Sequence, residues 1–187
     1  GATNAVASGT AFIIRDDDHY EDSFANGEAS VGEWAARTAG THGNSVGVSI
    51  CATATAYEEL AKTTTSAEEA IGQTVISLTS SSGFNVHDIV NFAEVLGFEY
   101  QVTAVDTGAA TITVKLKDDP VGSGLQSLIA SGTSVRRRWR WYDLFDAAPG
   151  TSDFATNNQR GTSDEMHIVV FDHLGEITGF SALAAGN

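Results

Sequence analysis

Two clusters of acidic and histidine side chains have residue types that bind metal ions. The first, residues 16–19 (Asp-Asp-Asp-His), offers carboxylates for a divalent cation but lacks the glycine and the ligand spacing of a calcium loop. The second comprises His167, Asp172 and His173. On a strand, six residues at roughly 3.3 Å each separate the two histidines by about 20 Å, so both cannot bind one ion. We therefore predict a solvated acidic loop at the first cluster, and neither a metal nor a cofactor.

Residues that catalyse nucleophilic or acid–base reactions occur here without the predicted local structure that such reactions need. Residues 43–47 (Gly-Asn-Ser-Val-Gly) have Gly-x-Ser-x-Gly spacing around Ser45, but a predicted turn leads there into a predicted strand, so no strand-to-helix nucleophile elbow is predicted at Ser45, Ser49 or Ser163. No glycine-rich phosphate loop with a following lysine is present. The carboxylate pairs Glu58-Glu59 and Glu68-Glu69 lie on helix-like segments, where they are typical of a solvated surface. We expect a protein that is not an enzyme and has no catalytic residue.

A basic and aromatic run, residues 135–142 (Val-Arg-Arg-Arg-Trp-Arg-Trp-Tyr), stands out in an otherwise acidic chain. Alternate side chains of a strand point to opposite faces, so Arg136, Arg138 and Arg140 would share one face. With Arg160 nearby in the sequence, they would form a positive stripe that binds the acidic face of another copy of the chain. One surface ion pair contributes only about 0–1 kcal/mol, but a helical assembly repeats it many times.

Two other interpretations of this run remain open. In the first, Trp139 and Trp141 pack in the core while the guanidinium groups pair with Asp143 or Asp146 of the same chain. In the second, the arginine and aromatic side chains bind nucleic acid. The net charge of −14 makes nucleic-acid binding the weakest of the three hypotheses.

The composition excludes several classes of protein. The 187 residues carry 10 Lys and Arg against 24 Asp and Glu, a balance that repels phosphates and keeps a protein soluble at high concentration. The single cysteine, Cys51, excludes an intrachain disulfide and a cysteine zinc cluster. No apolar run approaches the roughly 18 residues of a membrane helix. We expect no nucleic acid, no membrane insertion and, since the chain lacks an initiator methionine, truncation at both ends.

The apolar pattern predicts a mixed α+β fold, a twisted β-sheet with short helices. The strands predicted for this sheet are residues 10–14, 46–53, 135–142, 166–172 and 177–180, the last two forming a hairpin. Short helices are predicted at residues 57–62 and 66–71, the second with a capping box of Ser66 and Glu69.

Residues 74–117 are predicted to form a separate unit. Four short strands with turn signals between them are typical of a small antiparallel, barrel-like β unit. We predict that this unit is inserted into a discontinuous main domain of residues 1–73 and 118–187.

Three segments, in this order, resemble the contractile tail sheath proteins of T-even-type myophages. Residues 32–50 are similar to the family's aromatic-containing ARxPGxxGN stretch and following strand, with Ala39 in place of the proline. Residues 141–145 (Trp-Tyr-Asp-Leu-Phe) and their polar loop form the second segment. The third is residues 164–179, a strand with a glycine-containing turn in which His173-Leu174 replaces the usual acidic pair.

The resemblance covers roughly residues 30–52 and 135–180, and residues 74–117 fall where such proteins carry variable insertions. It implies a structural subunit that polymerises around the tail tube and contracts to drive the tube through the host envelope. The implied partners are copies of itself, the tail tube protein and the baseplate. The implied location is the virion tail, with the host cytoplasm during assembly. The family joins neighbours by strand exchange through the chain termini, and we assign no exchange strand here.

A binding module is the alternative function. Small β-barrels commonly bind ligands through their loops, so residues 74–117 would bind a receptor or carbohydrate on the virion surface. The loops available for this are residues 80–85, 95–98 and 107–110.

Overall fold

The computed structural model describes residues 40–93 and 97–181, together with Asp18 and Asp22. The strand predicted at residues 10–14 lies outside the described residues, as does the acidic loop at 16–19 apart from Asp18. The chain divides into two compact units. The described residues of the first unit are 40–50 and 168–181 with the two single residues, and the second unit is formed by residues 51–167.

The mixed α+β class is confirmed, because short helices accompany two antiparallel sheets. In chain order the elements are α1 (Thr41–Ser45), β1 (Val46–Cys51), α2 (Ala54–Tyr57), β2 (Glu58–Thr64), β3 (Val75–Ser77), β4 (Ile89–Asn91), β5 (Tyr100–Asp106), β6 (Thr111–Leu116), β7 (Ser134–Arg138), a 3-10 turn (Tyr142–Leu144), α3 (Asp153–Asn158) and β8 (His167–Asp172). β1 pairs with β8, and the other strands form a six-stranded sheet in the order β2-β7-β4-β5-β6-β3.

The outer strands of the six-stranded sheet, β2 and β3, are linked just beyond their ends. Thr65 and Leu78 form an antiparallel bridge. The amide of Ser66 donates to the carbonyl of Ser77 at 2.9 Å, and the amide of Thr79 donates to that of Thr64 at 2.8 Å. The sheet therefore curls until its two outer strands meet, which leaves less unpaired backbone at its edges.

One continuous hydrophobic core holds this sheet together. Strand alternation buries one side chain in two, as in β6, where Ile112 and Val114 are buried and the intervening Thr113 is half-buried. The remaining core side chains are Ile76, Leu78, Phe84, Val90, Phe92, Tyr100, Val102, Leu125, Ile129 and Val135. Burial of each large apolar side chain contributes about 1.5–3 kcal/mol.

The helix predicted at residues 66–71 is wrong. Glu69 instead forms an antiparallel bridge with Ile129. Its side chain is 1% exposed, and its carboxylate accepts hydrogen bonds from the amide of Ser77, at 2.6 Å, and from the side chain of Gln73. A buried carboxylate needs hydrogen-bond donors. Glu69 therefore accepts from the amide of Ser77 in β3, and not from the amide of Ser66 as the predicted capping box would require.

The helix predicted at residues 57–62 is also wrong. α2 ends at Tyr57, and the chain continues as β2 beside β7. In this pairing Glu58 faces Arg138 and Glu59 faces Arg137. Opposite charges across neighbouring strands stabilise a sheet, so these pairs favour the extended conformation over the helix.

In the first unit α1 leads into β1, and β1 pairs with β8. The amide of His173 donates to the carbonyl of Ser45 at 2.5 Å, and the ring of Phe171 lies over Gly47 where a Cβ atom would otherwise be. The strand predicted at residues 177–180 is wrong, because residues 173–181 form turns. Hydrogen bonds to Asp172, described below, hold those turns.

The predicted domain division is corrected as well. β3 to β6, within residues 74–117, share one sheet with β2 and β7, so the compact unit spans residues 51–167. The segment predicted at 135–142 belongs to this sheet through β7 and does not join β1 and β8. The physical reason is that β7 pairs on both sides, with β2 and with β4, and contributes Val135 to the shared core.

Replacing Gly124 by alanine should destabilise the second unit by about 1–3 kcal/mol. A Cβ atom at this position would overlap the backbone carbonyls of Gly72 and Gln73, which cannot rotate away. Gly150→Ala is the control, since its Cβ would meet only the flexible carboxylate of Glu165 at 3.6 Å. Urea unfolding of both variants checks this, and equal midpoints would contradict it.

Candidate functional site

The arginine run lies at the centre of an ion-pair network in the second unit. Arg137, on β7, is only 6% exposed. Its Nε donates to Glu59 Oε2 at 3.0 Å, and its Nη1 donates to Asp88 Oδ1 at 3.4 Å. Its Nη2 donates to the carbonyls of Thr55 and Ala56 at 2.9 and 3.0 Å. One guanidinium therefore joins α2, β2 and the residue that precedes β4.

Asp88 is the buried acidic partner in this arrangement. Its side chain is 7% exposed, and burial raises its pKa against the opposing effects of the Asn85 amide and Arg137. The amide of Asn85 donates to its Oδ2 at 2.8 Å. A buried carboxylate without a charge partner is costly, so Arg137 compensates for the burial of Asp88.

Arg136 and Arg138 share the other face of β7, as predicted, and both pair with Glu58. Partial burial would raise the pKa of Glu58, but the two guanidinium groups lower it below its usual value. Arg138 also pairs with Glu99, and its guanidinium lies 4.7 Å from the ring centroid of Tyr142. These side chains lie partly in solvent, with 34% of Arg136 and 21% of Arg138 exposed.

Glu99 extends the network to the loops that follow β6 and β7. The hydroxyl of Tyr142 donates to Glu99 Oε2 at 2.5 Å, and Lys117 Nζ lies 3.4 Å from the same oxygen. Lys117 also pairs with Asp143 at 3.3 Å. Burial alone would lower the pKa of Lys117, but Tyr142 and the two carboxylates raise it above its usual value.

The ion-pair network consists of two clusters, based on opposite faces of β7, and the charges of each cancel. In one cluster Lys62 and Arg137 pair with Glu59 and Asp88. In the other Lys117, Arg136 and Arg138 pair with Glu58, Glu99 and Asp143. Subtracting five of each from the 10 basic and 24 acidic residues leaves 5 and 19, so the net charge of −14 lies entirely outside the network.

The four arginines of the predicted stripe have different surroundings. Arg136 and Arg138 have the acidic partners given above. Arg140 follows β7 with its guanidinium 4.9 Å from the ring centroid of Trp141. Arg160 is exposed beyond the end of α3. Contact of these four residues with another copy of the chain stays a prediction.

The alternative of pairing within the chain applies to Arg136, Arg137 and Arg138, although not with the predicted partners. Asp143 and Asp146 lie after β7, whereas the partners found are Glu58, Glu59, Asp88 and Glu99. Sequence reasoning missed them because the pairing of β2 and β4 with β7, which brings them together, is set by tertiary structure.

Trp139 packs into an aromatic stack at the end of β7. It is 8% exposed and stacks on Phe145 and His167, with ring centroids 5.7 and 6.5 Å away. The rings of Phe145 and His167 lie 3.9 Å apart, and His167 Nε2 is 2.8 Å from the carbonyl of Ala147. The predicted burial thus holds for Trp139, whereas Trp141 is half-buried.

A second polar centre, in the first unit, was missed by the sequence reasoning. The carboxylate of Asp172, 9% exposed, accepts a hydrogen bond from Ser45 Oγ across 127 residues of chain. It also accepts from the amides of Gly175, Ile177 and Thr178 at 2.9, 3.0 and 2.7 Å, and from Thr178 Oγ1 at 2.9 Å. The signal that could have revealed it is an aspartate three residues before a glycine, a common turn sequence.

These donors lower the pKa of Asp172 well below its usual value, although burial acts in the opposite direction. Ser45 Oγ, while donating to Asp172, accepts from the amides of Leu174 and Glu176 at 3.0 and 3.3 Å. Ser45 is fully buried and its hydroxyl makes three hydrogen bonds, so it stabilises the fold and is not placed to act as a nucleophile.

Within residues 40–93 and 97–181, no group of three or more His, Cys, Asp or Glu side chains is placed to hold a metal ion. Over the same residues, no helix has the length and apolarity to cross a membrane. Comparison of the chain with protein-family models, curated proteins and solved structures found no match.

Replacing Arg137 by methionine should destabilise the second unit by about 3–5 kcal/mol, because Asp88 would stay buried without its guanidinium partner. The exposed Arg160→Met variant is the control and should change stability by less than about 0.5 kcal/mol. Chemical denaturation measures both values. Adding Asp88→Asn to Arg137→Met should recover part of the loss. A loss below about 1 kcal/mol for Arg137→Met would show that the ion pair is dispensable.

Asp172→Asn should flatten the dependence of stability on pH in the acid range. The folded-state pKa of Asp172 lies below the ordinary 3.8, so its contribution is present above pH 3.8 and is lost as pH falls toward the folded pKa. The wild-type chain should therefore lose more stability on acidification than the variant. Thermal unfolding between about pH 2 and 7 measures this. Asp146→Asn controls for the loss of one acidic charge, and parallel wild-type and Asp172→Asn profiles would refute the prediction.

Proposed function

We propose that this chain is part of a contractile tail sheath subunit, a structural protein that polymerises around a tail tube. The observation that carries the proposal is the contact between Ser45 and Asp172. These residues belong to the first and third of the segments that resemble the sheath family, and 127 residues separate them in the chain. Two distant segments of one family pattern that meet in one sheet support a common structural unit.

The organisation of the chain gives further support. β1 and β8, which carry the first and third of the segments that resemble the family, flank in sequence a unit of residues 51–167 with its own core. The second segment, residues 141–145, lies within that unit, as do residues 74–117, where the family carries variable insertions. Among the described residues, β1 and β8 each pair with only one strand. Their outer edges could receive strands of other chains, as assembly by strand exchange requires.

The proposed partners are copies of the same chain, the tail tube protein and the baseplate, and the proposed location is the virion tail. The acidity outside the ion-pair network is compatible with this function, because a net charge far from zero keeps free subunits soluble before assembly.

A virion binding module is a second candidate. One observation favours it: two of the predicted binding loops, residues 80–85 and 107–110, lie together at one end of the second unit. Ser81 Oγ donates to the carbonyl of Asp106 at 2.9 Å, and the amide of Leu78 donates to the carbonyl of Ala110, also at 2.9 Å. Adjacent loops on a curled sheet are a common ligand-binding arrangement.

Electron microscopy of the full-length parent protein, expressed alone at high concentration, tests the proposal. Hollow tubes or stacked rings are the expected result. Small closed oligomers from the parent protein at every salt concentration would overturn the proposal and favour the binding module.

A further inference from the structure

Residues 150–165 form a loop whose two ends are held together. Hydrogen bonds of 2.7–3.2 Å join residues 150–152 to residues 163–165, and we call these bonds the clasp. They link Gly150 with Glu165, Ser152 with Asp164, and Thr151 with Ser163. A loop that is closed at its base can open at its tip without disturbing the rest of the fold.

The tip of this loop is exposed and has an unusual backbone. Residues 156–162, among them Arg160, are all exposed. Gln159, Gly161 and Ser163 have positive φ angles of 52°, 106° and 58°. Residues other than glycine rarely adopt such angles, so Gln159 and Ser163 lose little when the tip opens. A Cβ atom at Gly161 would meet nothing within 4 Å, so open space surrounds the backbone next to Arg160.

Arg160 differs from the other basic residues that the structure describes. Each of the others lies within a strand or no more than two residues beyond one, and none of them is exposed. They are Lys62, Lys115, Lys117, Arg136, Arg137, Arg138 and Arg140. A protease binds its substrate as an extended chain in its own active site, so a paired strand must first leave its sheet. Among the described basic residues, only Arg160 can be reached by opening one exposed loop.

We propose that the peptide bond between Arg160 and Gly161 is a processing site for a trypsin-like serine protease. Such a protease holds the basic side chain before the cut in an acidic pocket, which an exposed arginine can enter. Hydrolysis gives the OH of water to the carbonyl carbon of Arg160 and its hydrogen to the nitrogen of Gly161. The site depends on residues 150–165 alone, so it does not rest on the proposed function.

The cut chain should stay together as a protein of two pieces. The carboxy-terminal piece, residues 161–187, keeps the clasp to residues 150–152. It also keeps the stacking of His167 on Phe145 and the pairing of β8 with β1. Processing at Arg160 therefore leaves both sheets with all their strands.

Brief trypsin digestion of the folded protein, followed by mass spectrometry of the new amino termini, tests the site. Gly161 should become an amino terminus at least about a hundredfold faster than the residue after any other described Lys or Arg, because paired strands open far less often than an exposed loop. Arg160→Lys should keep the cut, and Arg160→Gln should abolish it. In urea-unfolded protein the preference for Arg160 should fall below about tenfold, since every basic residue is then accessible.

Two results would overturn the processing site. One is hydrolysis after another described Lys or Arg at least as fast as after Arg160 in the folded protein. The other is an unchanged preference for Arg160 in urea, which would assign the selectivity to local sequence instead of the fold. Size-exclusion chromatography tests the two-piece state: residues 161–187 should elute with the rest of the cut protein in buffer and separate in urea, and their release in buffer would refute it.

Discussion

The second unit depends on the burial of one guanidinium group. The guanidinium of Arg137, on β7, donates hydrogen bonds to Glu59 and Asp88. It also donates to the carbonyls of Thr55 and Ala56 in α2. An arginine can do this because its planar group presents five donors in fixed directions, whereas an ammonium group concentrates its charge at one point. These contacts join β7 to β2 and to the residue before β4, the two strands that flank β7 in the sheet.

In the first unit, Asp172 has the corresponding role with the opposite charge. Its carboxylate gathers donors from Ser45 and from the turns that follow β8. In both units a single charged group has a partner distant in the chain, Glu59 and Asp88 for Arg137 and Ser45 for Asp172, and such contacts favour one specific arrangement over a general hydrophobic collapse. The burial of these acidic side chains is compensated locally, that of Asp88 by Arg137 and that of Asp172 by neutral hydrogen-bond donors.

The functional proposals follow from the differences between the two units. Residues 51–167 have one hydrophobic core and ion pairs whose charges cancel. β1 and β8 form only two strands among the described residues, and a two-stranded sheet by itself is marginally stable in water. Two of the three segments that resemble sheath proteins, residues 32–50 and 164–179, contain β1 and β8, and the third, residues 141–145, lies in the second unit.

Sequence patterns were enough to predict the α+β class, the strands β1 and β3 to β8, and the shared face of Arg136 and Arg138, because these depend on alternation along a single strand. It misplaced residues 57–62 and 66–71, where Glu58 and Glu69 are typical of a helix but are held in extended chain by partners in other strands. It also placed the domain boundary at residue 74 instead of 51, and it missed Asp88, Glu99 and Ser45 as partners. These features depend on which distant strand lies alongside in the folded chain, and local patterns of polarity carry no information about that pairing.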